Sequence, residues 1–213
     1  MRSRRLPALP YRCRTLALAL LLIACALGGP RAFAAGARLY DIEYAIISAA
    51  LNHGIGGEVQ RIVIDGRTTG LVVNISPPDT TREDLAKELG TTAYAIDEWA
   101  RINRARHTLQ TGFATTTPYT LLDPAHRDEL FKDDDPEINW THFRAAFPDA
   151  NGIVRVSRPG IDDAARVALL YLEFQCGHEC GSGRLINLAL DATESWQVTS
   201  GSLVWIMSPE DPE

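Results

Sequence analysis

The stretch CGHECGSG, residues 176–183, lies between two β-type runs, and no other feature restricts the fold of this chain as tightly. Arg166 to Gln175 (RVALLYLEFQ) is rich in apolar and aromatic residues, and Arg184 to Leu190 (RLINLAL) alternates; both read as strands. A connection this short makes them an antiparallel hairpin. Cys176 and Cys180 flank a three-residue insert. That spacing brings two Cα atoms to the roughly 5.5 Å that a disulfide prefers. Closing so short a loop contributes about 2 kcal/mol, which fixes a turn rather than a whole fold.

Whether these thiols meet an oxidant is decided at the other end of the chain. The sequence begins MRSRRLPALPYRCR, with five arginines and no acid. Leu16 to Leu27 is a continuous apolar run, Gly28-Gly29-Pro30 breaks it, and Ala32-Phe33-Ala34 follows. A basic start, a short apolar middle and a small-x-small end describe a secretory signal peptide over residues 1–34. The run is shorter than the roughly 20 apolar residues a membrane-spanning helix needs. Cleavage after Ala34 leaves residues 35–213 as a single globular domain with a frayed tail at 208–213. Leu22-Ile23-Ala24-Cys25 also resembles a bacterial lipobox, and on that alternative Cys25 is lipidated and anchors the chain. Cys13 and Cys25 leave with the leader, or Cys25 is acylated, so Cys176 and Cys180 remain to pair in an oxidising compartment.

A zinc site at Cys176, His178 and Cys180 would lack a fourth ligand, and a redox motif would be C-x-x-C at a helix start. The reading is therefore a disulfide, with Gly177, His178, Gly181 and Gly183 forming a possible functional loop around it.

Charge narrows the partners. The chain has 21 Lys+Arg against 27 Asp+Glu; the leader holds six of the basic residues and none of the acids, so the remainder has 15 against 27, near −12. This disfavours nucleic acid. It also disfavours docking on an anionic membrane, so membrane attachment is expected only through Cys25.

The remaining sequence predicts helices first and strands last. Leu39–Leu51 is helical, with Tyr40, Tyr44, Ile47 and Leu51 recurring on one face. Val59–Ile64 and Leu71–Ile75 read as a short hairpin with a turn after Asp65-Gly66. Thr80 is the expected N-cap of a helix that ends at Gly90, with Glu83 completing a capping box. Another helix follows from Ala93, burying Ala95, Trp99 and Ile102 and solvating Arg101, Arg104 and Arg106. Gln110–Thr120 reads as irregular, and Asp123-Pro124 as a helix start. Lys132–Glu137 is an acidic loop; Ile138 and Arg144 occupy positions where a calcium loop needs glycine and glutamate. Asn139 is the expected cap of a helix carrying Trp140, Phe143 and Phe147, with His142 off that face. Ile153–Ser157, the stapled hairpin, Trp196–Thr199 and Leu203–Met207 then follow as strands. The fold class is α+β: N-terminal helices and a short hairpin, then a C-terminal antiparallel β-meander.

Several of these elements together carry a resemblance. Trp140, Phe143 and Phe147-Pro148, then Gly152, Ser157-Arg158 and Gly160, then Ala168-Leu169 and Tyr171, then Cys176-Gly177, Cys180-Gly181 and Gly183, with Leu188, Trp196 and Val198, form one pattern. Ile62-Val63-Ile64-Asp65 and Thr68 extend it. The pattern resembles a family of short exported bacterial proteins in which an aromatic helix and an S-R-x-G turn precede a hairpin closed by CG-x-x-CG-x-G. The resemblance covers Tyr40 to Val198 and implies a secreted single-domain fold with no established activity. Ile161 stands where that family more usually has an aromatic residue.

No catalytic motif is legible. His53, His107, His126, His142 and His178 share no metal-ligand spacing, and G-x-S-x-G is lacking around Ser182. A polar cluster of Ser157, Arg158 and Tyr171, with Glu173, is the one constellation that adjacent strands would gather. Two functions remain. The favoured one is a non-enzymatic envelope module, without metal or cofactor, that binds an envelope protein or a small ligand through its sheet or stapled loop. The alternative is a periplasmic hydrolase whose site is assembled from scattered residues.

Overall fold

Alternation along the strands places apolar side chains on both faces of one sheet, and helices cover both. The structure, a computed structural model, describes residues 39–55, 60–70 and 80–207, which fall in one compact unit. The leader, the expected strand Leu71–Ile75 and the tail at 208–213 lie outside the described residues.

The described residues form five helices and seven strands. In chain order these are α1 (Asp41–Gly54), β1 (Arg61–Asp65), α2 (Arg82–Leu89), α3 (Ala93–Ile102), β2 (Tyr119–Leu122), α4 (Pro124–Leu130), α5 (Pro136–Ala146), β3 (Ala150–Val156), β4 (Gly160–Asp162), β5 (Val167–Gln175), β6 (Gly181–Leu190) and β7 (Trp196–Met207). The sheet order is β2-β1-β3-β5-β6-β7, and β4 pairs with the start of β5. Odd and even positions of β5 show how the core divides. Ala168, Leu170 and Leu172 pack with Ile46, Ile47, Ala50 and Leu51 of α1 on one face. Leu169 and Tyr171 pack with Leu85, Leu89, Ile96 and Trp99 of α2 and α3 on the other. That second face carries a separate cluster at its β1–β3 end, where Trp140 and Phe143 of α5 and Leu130 of α4 cover Val63 and Ile153.

The α+β class and the C-terminal meander β5-β6-β7 hold, but the layout is corrected in three respects. α4 and α5 lie between strands rather than ahead of them. β1 does not enter a hairpin: both its edges are filled by parallel partners, β2 and β3, so the sheet is mixed although mostly antiparallel. Residues 196–207 form one continuous strand: Ser200, Gly201 and Ser202 pair in register with Asn187, Ile186 and Leu185, and the register shifts on either side leave Thr199 and Val204 as the extra residues.

Local chemistry explains most helix ends. Asp123 caps α4, accepting from the Ala125 and His126 N–H groups, with Pro124 in the first turn. Gly90 ends α2 at φ 71°, a left-handed conformation that favours glycine. Two expected caps move. Thr81, not Thr80, accepts from Asp84 N at the start of α2. Asp135, not Asn139, caps α5. Asn139 is buried inside that helix and exchanges hydrogen bonds with the Asp133 backbone, which folds the acidic loop back onto the helix.

Candidate functional site

α1 ends at Gly54, beside the last residues of β5 and the first of β6. Among the described residues the sheet face there borders a pocket of about 390 Å³. Its floor is Leu172 and Phe174 from β5, Ile186 from β6 and Val198 from β7; His53 borders it from α1, and Ser182 and Arg184 from β6. Even-numbered positions of β5 and β6 face α1, so Leu172, Phe174, Ser182, Arg184 and Ile186 share one face. The pocket adjoins the stapled loop: Phe174 and Ser182 are cross-strand partners one pair before Gln175 and Gly181, where the loop begins. The volume lies in the roughly 300–1,000 Å³ range of small-molecule sites, and an apolar floor with few polar groups is their usual lining. A second depression of about 590 Å³ lies across His53 and Val198 and is lined by Ser48, Asn52, Glu194 and Gln197 among others.

The staple forms as expected. Cys176 and Cys180 are disulfide-bonded with Cα atoms 5.0 Å apart, and Cys176 N–H donates to the Cys180 carbonyl at 2.9 Å. Both sulfurs are thereby committed to each other, and His178 is exposed. Among the described residues no three His, Cys, Asp or Glu side chains gather at metal-binding distance. Gly181 and Gly183 are buried. A Cβ on Gly183 would lie 2.2 Å from both Trp205 Nε1 and Tyr171 Oη, so this glycine makes room for an aromatic contact on the opposite face of the sheet.

That opposite face holds the polar cluster. Ser157 and Tyr171 do come together, with Glu173 beside them. Ser157 Oγ accepts from Trp99 Nε1 and from Tyr171 N, each at 2.8 Å, and donates to the Arg158 carbonyl. It is fully buried with no histidine among its partners, so nothing activates it as a nucleophile. Tyr171 is fully buried as well. Its Oη accepts from Trp205 Nε1 at 2.6 Å and donates to Glu173 Oε2 at 3.1 Å. Burial pushes the hydroxyl above the ordinary tyrosine range; the Trp205 donation opposes this and the Glu173 charge adds to it. Arg158 points the other way, to Glu43 at 2.9 Å, and so belongs to the start of α1.

The sequence reading missed the charged half of this cluster. Arg155 of β3 pairs with Glu173 at 3.0 Å and lies 3.6 Å from Asp65 of β1, which also receives the Arg67 backbone N–H. These residues fill the seam between the two apolar clusters on that face. The signal was available: Arg155 and Glu173 take inward positions on alternating strands. The S-R-x-G turn acts next to them as a helix dock. Asn103 of the α3 C-terminus bridges the Arg158 carbonyl and N–H, and a Cβ on Gly160 would lie 2.2 Å from the Ala95 carbonyl oxygen.

The pocket residues His53, Ser182 and Arg184 were missed because no motif joins the end of a helix to three strands. No family model, no curated protein and no solved structure matches the chain, and its chemistry is read from these residues alone.

Proposed function

We propose that the chain is an exported, non-enzymatic binding module of the cell envelope, and that it holds a small ligand in the pocket beside the stapled loop. The carrying observation is the pocket itself: an apolar floor of Leu172, Phe174, Ile186 and Val198, with Ser182, Arg184 and His53 as its polar groups. Export is read from the basic and apolar leader over residues 1–34, removed after Ala34 or retained as a lipid anchor at Cys25. The Cys176–Cys180 disulfide suits that route. Among the described residues no helix is long and apolar enough to cross a membrane. The resemblance to exported bacterial proteins through the W..F...FP, SR.G and CG..CG.G elements agrees with this reading.

The test is recovery of the protein from the envelope fraction, followed by mass spectrometry of its N-terminus and native mass spectrometry of the intact chain. A start at Ala35 or an acylated Cys25 is expected, together with a bound small molecule whose mass disappears in Gly201→Leu. Gly201 lines the pocket, and a Cβ there meets only the Leu185 carbonyl oxygen at 3.7 Å, so the added side chain enters the pocket without displacing backbone. An unprocessed N-terminus in the cytoplasmic fraction, or a bound mass indifferent to Gly201→Leu, removes the reading.

A further inference from the structure

The lining of the pocket identifies a ligand class, an inference that rests on the pocket reading above. We propose that the pocket takes an amphipathic anion, with an apolar chain lying on Leu172, Phe174, Ile186 and Val198 and a carboxylate-type head held by Arg184.

Three observations converge on this. First, among the described residues His53 and Arg184 are the ionisable residues of the lining and no carboxylate joins them, in a chain whose acids outnumber its bases. Second, the surroundings of Arg184 are apolar. Its cross-strand neighbours are Leu172 on β5 and Leu203 on β7, and it makes no ion pair among the described residues, whereas Arg155 and Arg158 each meet a glutamate. An arginine flanked by leucines offers its planar fork to an incoming carboxylate while its stem lies along the chain. Third, among the described residues no acid borders the Arg184 end of the pocket. The depression beyond His53 and Val198 carries Glu194 instead, which repels an anionic head and sets the orientation. The head therefore lies at the Arg184 end and the chain runs toward Val198.

Calorimetric titration of the oxidised protein with decanoate, decanol and decylammonium tests this in the wild type, Arg184→Gln and Gly201→Leu. Decanoate is expected to bind about fivefold tighter than decanol, the upper end for a solvent-accessible ion pair, and decylammonium most weakly. Arg184→Gln should bring decanoate to the affinity of decanol and leave decanol unchanged; Gly201→Leu should abolish binding of all three. Equal binding of decanoate and decanol by the wild type, or a carboxylate preference that survives Arg184→Gln, overturns the anion proposal and leaves the pocket reading standing. No binding of any probe, or binding that Gly201→Leu does not alter, overturns both. Vesicles of phosphatidylglycerol separate a free anion from a lipid headgroup. The acidic chain should not sediment with them, and capture on vesicles without binding of monomeric decanoate also overturns the proposal.

Discussion

The two faces of the sheet are built on opposite plans. On the face under α2–α5 two apolar clusters flank a polar seam: Trp99 donates to Ser157, Arg155 and Tyr171 both donate to Glu173, Trp205 donates to Tyr171, and the buried Arg155 Nε faces Asp65 at 3.6 Å without a hydrogen bond. Among the described residues the face under α1 has one continuous apolar cluster and one helix, which ends at Gly54 beside the pocket. A filled face fixes the strands through interlocking hydrogen bonds, whose loss is costly because each buried partner is then left unpaired. An open face tolerates exposed Leu203 and Ile206 and leaves a pocket. The strands are thus held from one side and presented on the other, and substitutions on the two faces should differ sharply in effect.

The largest difference is expected between two arginines. Arg155→Met leaves Glu173 buried without its cation, while Asp65 keeps Arg127 at 3.6 Å, and should cost about 3 kcal/mol. Arg184→Gln on the open face should change stability by less than about 0.5 kcal/mol. Guanidinium unfolding of both variants compares them directly. Similar losses at the two positions would remove the distinction between the faces.

Glycines sharpen it further. At Gly160 a Cβ would meet the Ala95 carbonyl oxygen at 2.2 Å and the Trp99 nitrogen at 2.4 Å, both backbone atoms of α3. Gly160→Ala must push the helix off β4, and about 3 kcal/mol is expected. Gly201→Ala, facing the pocket, should leave the unfolding midpoint nearly unchanged. Equal melting of Gly160→Ala and the wild type would mean that α3 does not rest against this glycine.

How much of this was legible follows from the range of each interaction. Signals within a few residues carried well: the Asp123-Pro124 start, the Gly90 stop, the β5–β6 hairpin and its staple. Thr80 and Thr81 stand next to each other, each with an acid three residues on, and only packing selects Thr81. The segment Gln110–Thr120 reads as irregular, yet Tyr119 and Thr120 begin β2, a four-residue strand whose partner, β1, is far away in the chain. Parallel pairing leaves no local mark, so the β1 hairpin was expected in its place. The site divides the same way. Of the expected cluster, Tyr171 and Glu173 stand two apart on β5 and Ser157 directly follows β3, its partner strand, whereas the Arg158 side chain turns to Glu43; Asp65 and Arg155 join only through tertiary pairing. The pocket was invisible because it is the place where a helix ends.

The staple lies between the two regimes, since it joins strands that both faces share. Reduction, or Cys176→Ser with Cys180→Ser, should cost about 2 kcal/mol, from the entropy of a loop of roughly five residues. The β5–β6 ladder runs from Val167↔Ala189 to Gln175↔Gly181 without the loop's help, so the double variant should fold and retain decanoate. Thermal unfolding with and without reductant, followed by titration, measures both. Loss of ligand with little loss of stability would give the loop itself a binding role.

The smallest effect expected is a pH dependence that belongs to the filled face alone. Burial, opposed by the Trp205 indole and reinforced by Glu173, holds the Tyr171 hydroxyl above its ordinary range. A tyrosine in the unfolded chain ionises near pH 10, by the usual value of about 10. Above that pH the unfolded state binds fewer protons than the folded one, so the stability linked to this group is present in full below pH ~10 and falls as pH rises toward its folded value. By pH ~11 the loss should reach about 1 kcal/mol. Tyr171→Phe cannot ionise. It begins less stable, because Trp205 Nε1 loses its acceptor and Glu173 its donor, yet its stability should fall less steeply than that of the wild type. Urea unfolding from pH ~8 to ~11 gives the two slopes, and the informative quantity is their difference, since other tyrosines contribute equally to both. Parallel slopes would mean that Tyr171 ionises as freely folded as unfolded. Solvent would then reach the seam, and the contrast between a sealed face and an open one would be lost.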